Sequence, residues 1–222
     1  MARDLSMEKI VKAGFEVLDE VGLDGLTVRA VAAKLGVKAP SLYWHVRDKQ
    51  QLLDEMATQM WRLLWAQLGG LETDTLVRDG FRIYANALRR TMLAHRDGAR
   101  VFAGTYLTDA EVLRAQQAPL ASFADRGYEV AVVARALWLV YCFTVGFCVE
   151  EQAVSQAPDD RYSLKARDER IGEGAELVRR TGPEILGTGA PGDSDRRFAE
   201  LIDALADTAD RMLGRAGRSA GR

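Results

Sequence analysis

Residues 27–49 read Thr-Val-Arg-Ala-Val-Ala-Ala-Lys-Leu-Gly-Val-Lys-Ala-Pro-Ser-Leu-Tyr-Trp-His-Val-Arg-Asp-Lys, and this stretch decides the fold. Val28, Val31, Ala32 and Leu35 recur at helical spacing, so one face of a short helix is apolar. Gly36 and Val37 make a tight turn, and Pro40 suits the first turn of the next helix, where its missing N–H loses no bond. Leu42 and Val46 then point inward, leaving Ser41, Tyr43, Trp44, His45 and Lys49 outside. Such a helix-turn-helix, with hydroxyl, aromatic and cationic side chains outward, can enter a major groove and touch phosphates and base edges. A plain helical hairpin would share the apolar spacing, but an exposed Tyr-Trp pair is costly unless it contacts something.

Charge points the same way. Residues 25–49 carry Arg29, Lys34, Lys38, Arg47 and Lys49 against Asp48, a local balance of +4 in a chain of net charge −2. Positive charge is concentrated where a phosphate backbone would lie.

Outward from this unit, clean two-residue alternation is absent and helical periods dominate, so the fold is expected to be all-α. A first helix starts near Ser6, turns Ile10, Val11, Phe15, Leu18 and Val21 inward, and stops at Gly22. Asp48 and Gln51 have capping-box spacing for a helix through about Gln67 that carries Leu52, Leu53, Met56, Met60 and Leu64. Gly69-Gly70 closes this block. A second block opens near Asp74 and aligns Leu76, Phe81, Tyr84, Leu88 and Met92 before the polar break His95-Arg96-Asp97-Gly98. Thr108 and Glu111 predict a capped helix to about Asp125, ended by Gly127, and a long apolar helix covers roughly 129–151. Residues 153–167 read as loop or frayed helix, and a helix follows near 167–179. The Gly- and Pro-rich stretch 181–193 reads as mobile, 195–213 returns to helical period with Phe198, Leu201, Ile202, Leu205 and Met212, and the tail after Gly214 reads as disordered.

With 48% hydrophobic and 28% charged residues this is an ordinary globular composition. Arg135 interrupts the apolar run 131–149, and the first residues lack a secretory hydrophobic region, so no membrane association and a cytoplasmic location are expected. Cys142 and Cys148, six apart in one helix, fit neither a bridge nor a metal spacing and read as small buried hydrophobes. His45 and His95 are the only histidines, and neither belongs to a catalytic or metal-ligating pattern, so no cofactor, no metal and no enzymatic centre are expected.

The string 26–37, Leu-Thr-Val-Arg-Ala-Val-Ala-Ala-Lys-Leu-Gly-Val, followed by Pro40-Ser-Leu-Tyr-Trp-His-Val-Arg-Asp-Lys49 and Leu52-Leu53-Asp54, resembles the DNA-binding signature of the TetR family of transcriptional repressors. His95-Arg96-Asp97-Gly98-Ala99, Gly104-Thr105, Phe143-Thr144-Val145-Gly146 and Glu150-Glu151-Gln152 are similar to segments of the tetracycline repressor subgroup. The resemblance implies a homodimer that binds a double-stranded DNA operator and responds to a small-molecule inducer. It divides the chain into a DNA-binding domain at 1–50, a ligand-binding and dimerisation domain at 51–214 and a disordered tail at 215–222. Helices near 129–151 and 195–213 are the expected dimer interface. On the DNA side it implies Thr27, Arg29, Lys38, Ala39, Pro40, Ser41, Tyr43, Trp44, His45 and Lys49. Ala39 stands where the subgroup often has a base-reading Gln, so the operator should differ there, because a methyl cannot form the bidentate amide pair to adenine.

The implied ligand site departs further. Phe102 stands at the position of the subgroup's metal-ligating His, and a phenyl ring cannot coordinate Mg²⁺. Trp65, Tyr84, Leu88 and Pro119 stand where His, Asn, Phe and Gln are usual. Trp61, Trp65, Tyr84, Phe102, Tyr106, Trp138 and Phe143 would line a pocket for a flat hydrophobic molecule, with Thr105, Cys142 and Glu150 as its few polar points. The loop 95–98 is the implied route from ligand body to reading head. An enzyme on a helical body, or a ligand-sequestering module that no longer reads DNA, are the competing readings; turnover of the bound molecule or loss of DNA binding would mark them.

Overall fold

The Ser6 hydroxyl accepts the Lys9 N–H at 3.4 Å and so opens the first helix, α1 (Met7–Gly25). The computed structural model describes residues 5–69, 77–158 and 161–219, the last five by backbone alone. The backbone of α1 breaks at Gly22, whose φ of 73° is the left-handed region open to glycine, and one more turn follows. Thr27 caps α2 (Val28–Lys34) by accepting the Ala30 N–H at 3.1 Å. Pro40 sits in the first turn of α3 (Ala39–Tyr43). Asp48 caps α4 (Lys49–Leu68) through the Gln51 N–H at 2.8 Å, and Gln51 Oε1 accepts the Arg47 N–H at 2.9 Å, a capping box reaching one residue further back than usual. Ile10, Leu18, Leu26, Val31, Leu42, Val46, Leu52 and Met56 are buried together as one core.

That core does not end with the reading head. Along α4 it continues through Met60 and Leu64 to Leu88 and Met92 of α5 (Val77–Leu93) and Val101 and Phe102 of α6 (Gly98–Phe102). α7 (Ala110–Arg114) and α8 (Gln117–Asp125) flank this body. α9 (Val130–Ser155), α10 (Leu164–Ile171), α11 (Glu176–Leu186) and α12 (Asp193–Ser219) complete it. A second core forms where α5, α9 and α12 pack, around Phe81, Val133, Val140, Phe198 and Ile202. Strands are absent among the described residues, as expected.

Several local expectations are corrected. Val21 and Leu201 are half exposed, because the apolar arcs they extend are wider than the faces their helices bury. Asp109, not Thr108, caps the helix at 110, with its Oδ1 on the Glu111 N–H at 2.8 Å. Thr108 is drawn instead to Thr58, whose Oγ1 accepts its N–H at 3.0 Å. The helix predicted to Asp125 is two, α7 and α8, offset between 114 and 117. Helix extends to Ser155, and Gly172 and Gly174 split the predicted 167–179 helix into α10 and α11. Pro183 lies inside α11, so helix intrudes into the stretch read as mobile. α12 passes Gly214 to Ser219, since a lone glycine costs a helix about 1 kcal/mol without ending it. Gly70, Asp74 and Leu76 lie outside the described residues. Cys148 is buried, whereas Cys142 is exposed. α9 is, by length and composition, apolar enough to cross a membrane despite Arg135; here it packs against α5 and α12, with a third of its most apolar window buried.

Candidate DNA-reading head, ligand site and the joint between them

Every predicted DNA-side residue from 27 to 45 lies on one exposed unit formed by α2, its turn and α3, with Ala39 half-buried at its base. Trp44 is 90% exposed and Tyr43 45%, an unusual display for rings of that size. Thr27 spends its hydroxyl on the α2 cap. Two cations counted from the sequence are engaged elsewhere. Lys34 pairs with Glu20 and, at 3.8 Å, with Glu16, while Lys49 is half-buried and donates its ammonium to the Leu23 carbonyl at 2.6 Å. Arg29 and Lys38 have no acidic partner among the described residues, and the Arg47 guanidinium bonds the neutral Gln51 at 3.2 Å. These three are the cations left to face a phosphate backbone.

The predicted relay loop does meet the head. His95 stacks on Phe15 of α1 at 4.2 Å between centroids, and its Nδ1 lies 3.0 Å from Asp19 Oδ2. The Arg96 N–H donates to Asp19 Oδ1 at 2.9 Å. Asp97, at φ 53°, accepts the Leu23 N–H on Oδ2 at 2.8 Å. The Leu23 backbone is therefore held on both sides of its Cα, its N–H by the body loop and its carbonyl by Lys49. Gly22 makes this docking possible: a Cβ there would come within 3.0 Å of Arg96 Nε and Asp97 Oδ2. Behind the loop, buried Gln152 of α9 accepts the Ala99 N–H at 2.9 Å and donates to the His95 carbonyl at 2.8 Å.

Seven residues beyond the docked His95, α6 ends on Phe102, 1% exposed and stacked on Trp61 at 4.8 Å. Trp65 lies 6.0 Å from Trp61, and Tyr141 lies 6.0 Å from Trp61 and 5.0 Å from Trp138. Tyr141 is a member that sequence reasoning missed. Tyr84 touches both cores, and burial pushes its phenol far up and that of Tyr141 up as well. Leu88 is buried beneath. The Thr105 hydroxyl donates to the Phe102 carbonyl at 3.3 Å. The other predicted lining residues are not brought in: Phe143 packs on Phe147 and Phe198 in the second core, and Tyr106, Pro119 and Glu150 are exposed. Trp138 and Cys142 sit at the open edge of α9. Glu151 is engaged beside the second core instead, where Arg89, lying over the Phe198 ring, bonds it at 2.5 Å and the Ser194 hydroxyl donates to it at 2.6 Å. Among the described residues no three His, Cys, Asp or Glu side chains gather as a metal site. An open cleft of about 820 Å³ lies elsewhere, between α10 and α11, lined by Arg167, Arg170, Ile171, Val178 and Leu186 among others.

Residues 10–56 match the family described as bacterial regulatory proteins, tetR family, and residues 70–204 match the tetracyclin repressor-like C-terminal domain. The Escherichia coli tetracycline repressor protein class C is 32% identical over 186 residues, covering 81% of this chain and 84% of that protein. The chain belongs to the TetR family. A possible TetR-family regulator of Streptomyces coelicolor A3(2) superposes with a TM-score of 0.77 at 33% identity, over 93% of this chain and 99% of that one. A variant TetR of Acinetobacter baumannii AYE in complex with minocycline superposes at 0.70 and 27% identity, over 95% and 99%. The chain is a TetR-family transcriptional regulator whose first match contains the helix-turn-helix of α2 and α3, while the second contains Tyr84, Phe102 and Tyr141 of the aromatic cluster and Trp61 and Trp65 fall between the two.

Proposed function

We propose that this TetR-family regulator is a repressor that binds a palindromic operator as a homodimer in the cytoplasm and is released by a small, flat aromatic inducer. The observation that carries the reading is the double attachment of α6. Its leading loop is bonded to α1 of the reading head, and its last residue, Phe102, is stacked in the aromatic cluster. A molecule inserted against Trp61 and Phe102 must move α6, and α6 cannot move without disturbing the Leu23 and Asp19 contacts. Release then requires that the inducer prefer the displaced arrangement, since equal affinity for both states shifts nothing.

The site residues proposed for DNA are Arg29, Lys38, Ser41, Tyr43, Trp44, His45 and Arg47, with Thr27, Ala39 and Pro40 shaping the unit and Lys49 free to exchange Leu23 for a phosphate. Those proposed for the inducer are Trp61, Trp65, Tyr84, Leu88, Phe102 and Tyr141. A magnesium chelate of the tetracycline type does not fit them: Phe102 offers carbon where the resemblance puts a metal-ligating His, and the surrounding cluster is aromatic. Exposed Leu139 on α9 and Leu201 on α12 are apolar surface that a second copy of the chain would cover. The working division is a reading domain at 1–50 and a ligand and dimerisation body at 51–214, with α4 running from one into the other inside the first core.

The test is binding of the purified protein to its own upstream DNA at several salt concentrations, with flat aromatic compounds or with tetracycline plus Mg²⁺. Specific binding released by an aromatic compound without metal supports the proposal. Turnover of the compound, or compound binding without any specific DNA binding, refutes it.

A further inference from the structure

We infer that the inducer is uncharged and carries a carbonyl-type acceptor, of the ketone or quinone class, that takes the indole N–H of Trp65. The inference rests on the proposed ligand site and names the chemistry that site selects. Trp65 Nε1 is shielded from solvent and has no hydrogen-bond acceptor. A buried donor left unpaired loses its hydration without compensation, so such a group in a folded protein calls for an explanation. No acceptor for the Tyr84 or Tyr141 hydroxyl is found among the described residues, and burial keeps both phenols protonated. The cluster therefore offers N–H and O–H donors in an apolar wall.

Charge is missing from the same place. The side chains that act electrostatically on Tyr84 are Tyr141 and Cys142, with no carboxylate or cation among them. On the helices that carry the cluster, the guanidinium groups of Arg89 in α5 and Arg62 in α4 are already committed, Arg89 to Glu151 and Asp195 and Arg62 to Asp109. A cationic or anionic ligand would lose its water and meet no counter-charge, whereas a ketone oxygen between rings would satisfy the indole and cost little to desolvate.

Four three-ring probes test this on the full-length protein, followed by tryptophan quenching and by release of the upstream DNA: fluorene, 9-fluorenone, 9-fluorenone-2-carboxylate and the cation proflavine. 9-Fluorenone is expected to bind about tenfold more tightly than fluorene, the ratio that separates a satisfied from an orphaned buried donor, and both charged probes to bind more weakly than 9-fluorenone. Trp65→Phe should erase the preference for 9-fluorenone over fluorene. Incorporation of 3-benzothienylalanine at position 65, which keeps the ring shape without the N–H, should do the same if the smaller phenyl ring disturbs packing. Equal affinities for fluorene and 9-fluorenone, a charged probe binding most tightly, or a preference that survives both position-65 variants would overturn the inference while leaving a flat-aromatic site standing. Failure of all four probes to bind, with operator binding intact, would overturn the ligand site itself.

Discussion

Gln152→Met tests the joint most directly. Gln152 reaches from α9 to serve the first turn of α6, where the Ala99 N–H has no helical partner of its own. Methionine keeps the length and volume of the side chain but offers neither amide. The fully buried Ala99 N–H would be stranded, costing about 1–3 kcal/mol. The His95 carbonyl would lose its 2.8 Å bond but keep the Gly98 N–H at 3.0 Å, so its share is smaller, about 1 kcal/mol. The expected sum is about 2–4 kcal/mol, or roughly 4–16 °C in midpoint for a chain of this length. Urea unfolding followed by circular dichroism measures it, and an unchanged m-value would show that the denatured state is not the cause. A loss under about 0.5 kcal/mol would refute the reasoning, because the loop 95–98 would then be held by something other than this amide.

Three further outcomes are expected. Gly98→Ala should cost about 1–3 kcal/mol in thermal unfolding, since an added Cβ would overlap the Met92 carbonyl oxygen; an unchanged midpoint would mean the loop has room to spare. At neutral pH a thiol reagent should modify one cysteine per chain quickly, exposed Cys142. Cys148 should react only on unfolding, because burial pushes its thiol up to about 12, and two fast thiols would contradict the packing of α9. The Asp193 carboxyl is held below the usual carboxylate range by Arg196 first and the Thr188 N–H second. Its contribution is therefore present above the ordinary aspartate pKa of about 3.9 and lost as pH falls through the lower folded value, so Asp193→Asn should flatten the acid limb of a stability–pH curve, and parallel limbs would contradict it.

The reading head was legible because its signals are local. Ser6, Thr27 and Asp48 cap helices within three residues of themselves, and Gly22 and Gly36 turn the chain where they stand. What was missed depends on partners far along the chain. Lys34 and Lys49 look free until α1 is folded beside them, and Thr108 gives up its cap to Thr58, fifty residues away. The ligand cluster was half legible for a related reason. α9 is apolar nearly all round, so its pattern carries no phase, and nothing local says that Tyr141 turns toward Trp61 while Phe143 turns toward Phe198. The same ambiguity hides which of the two adjacent acids is engaged within the chain: Glu151 is held by Arg89, while Glu150, the expected polar point of the pocket, is exposed.

The short α6 carries one more consequence on the proposed reading. A rod fastened at both ends transmits no more force than its weaker fastening withstands. The head-side fastening is chiefly the Asp97 and Asp19 hydrogen bonds and one ring stack, together worth about 3–4 kcal/mol, with longer contacts from Arg96 to the Glu20 carbonyl and from exposed Arg100 to Asp24 adding little. However tightly an inducer is gripped, the surplus beyond that value would tear the joint and leave the head where it was. If that reading holds, the dynamic range would be capped near two to three orders of magnitude by the hinge rather than by the ligand, and tighter inducers would lower the working dose without deepening the response.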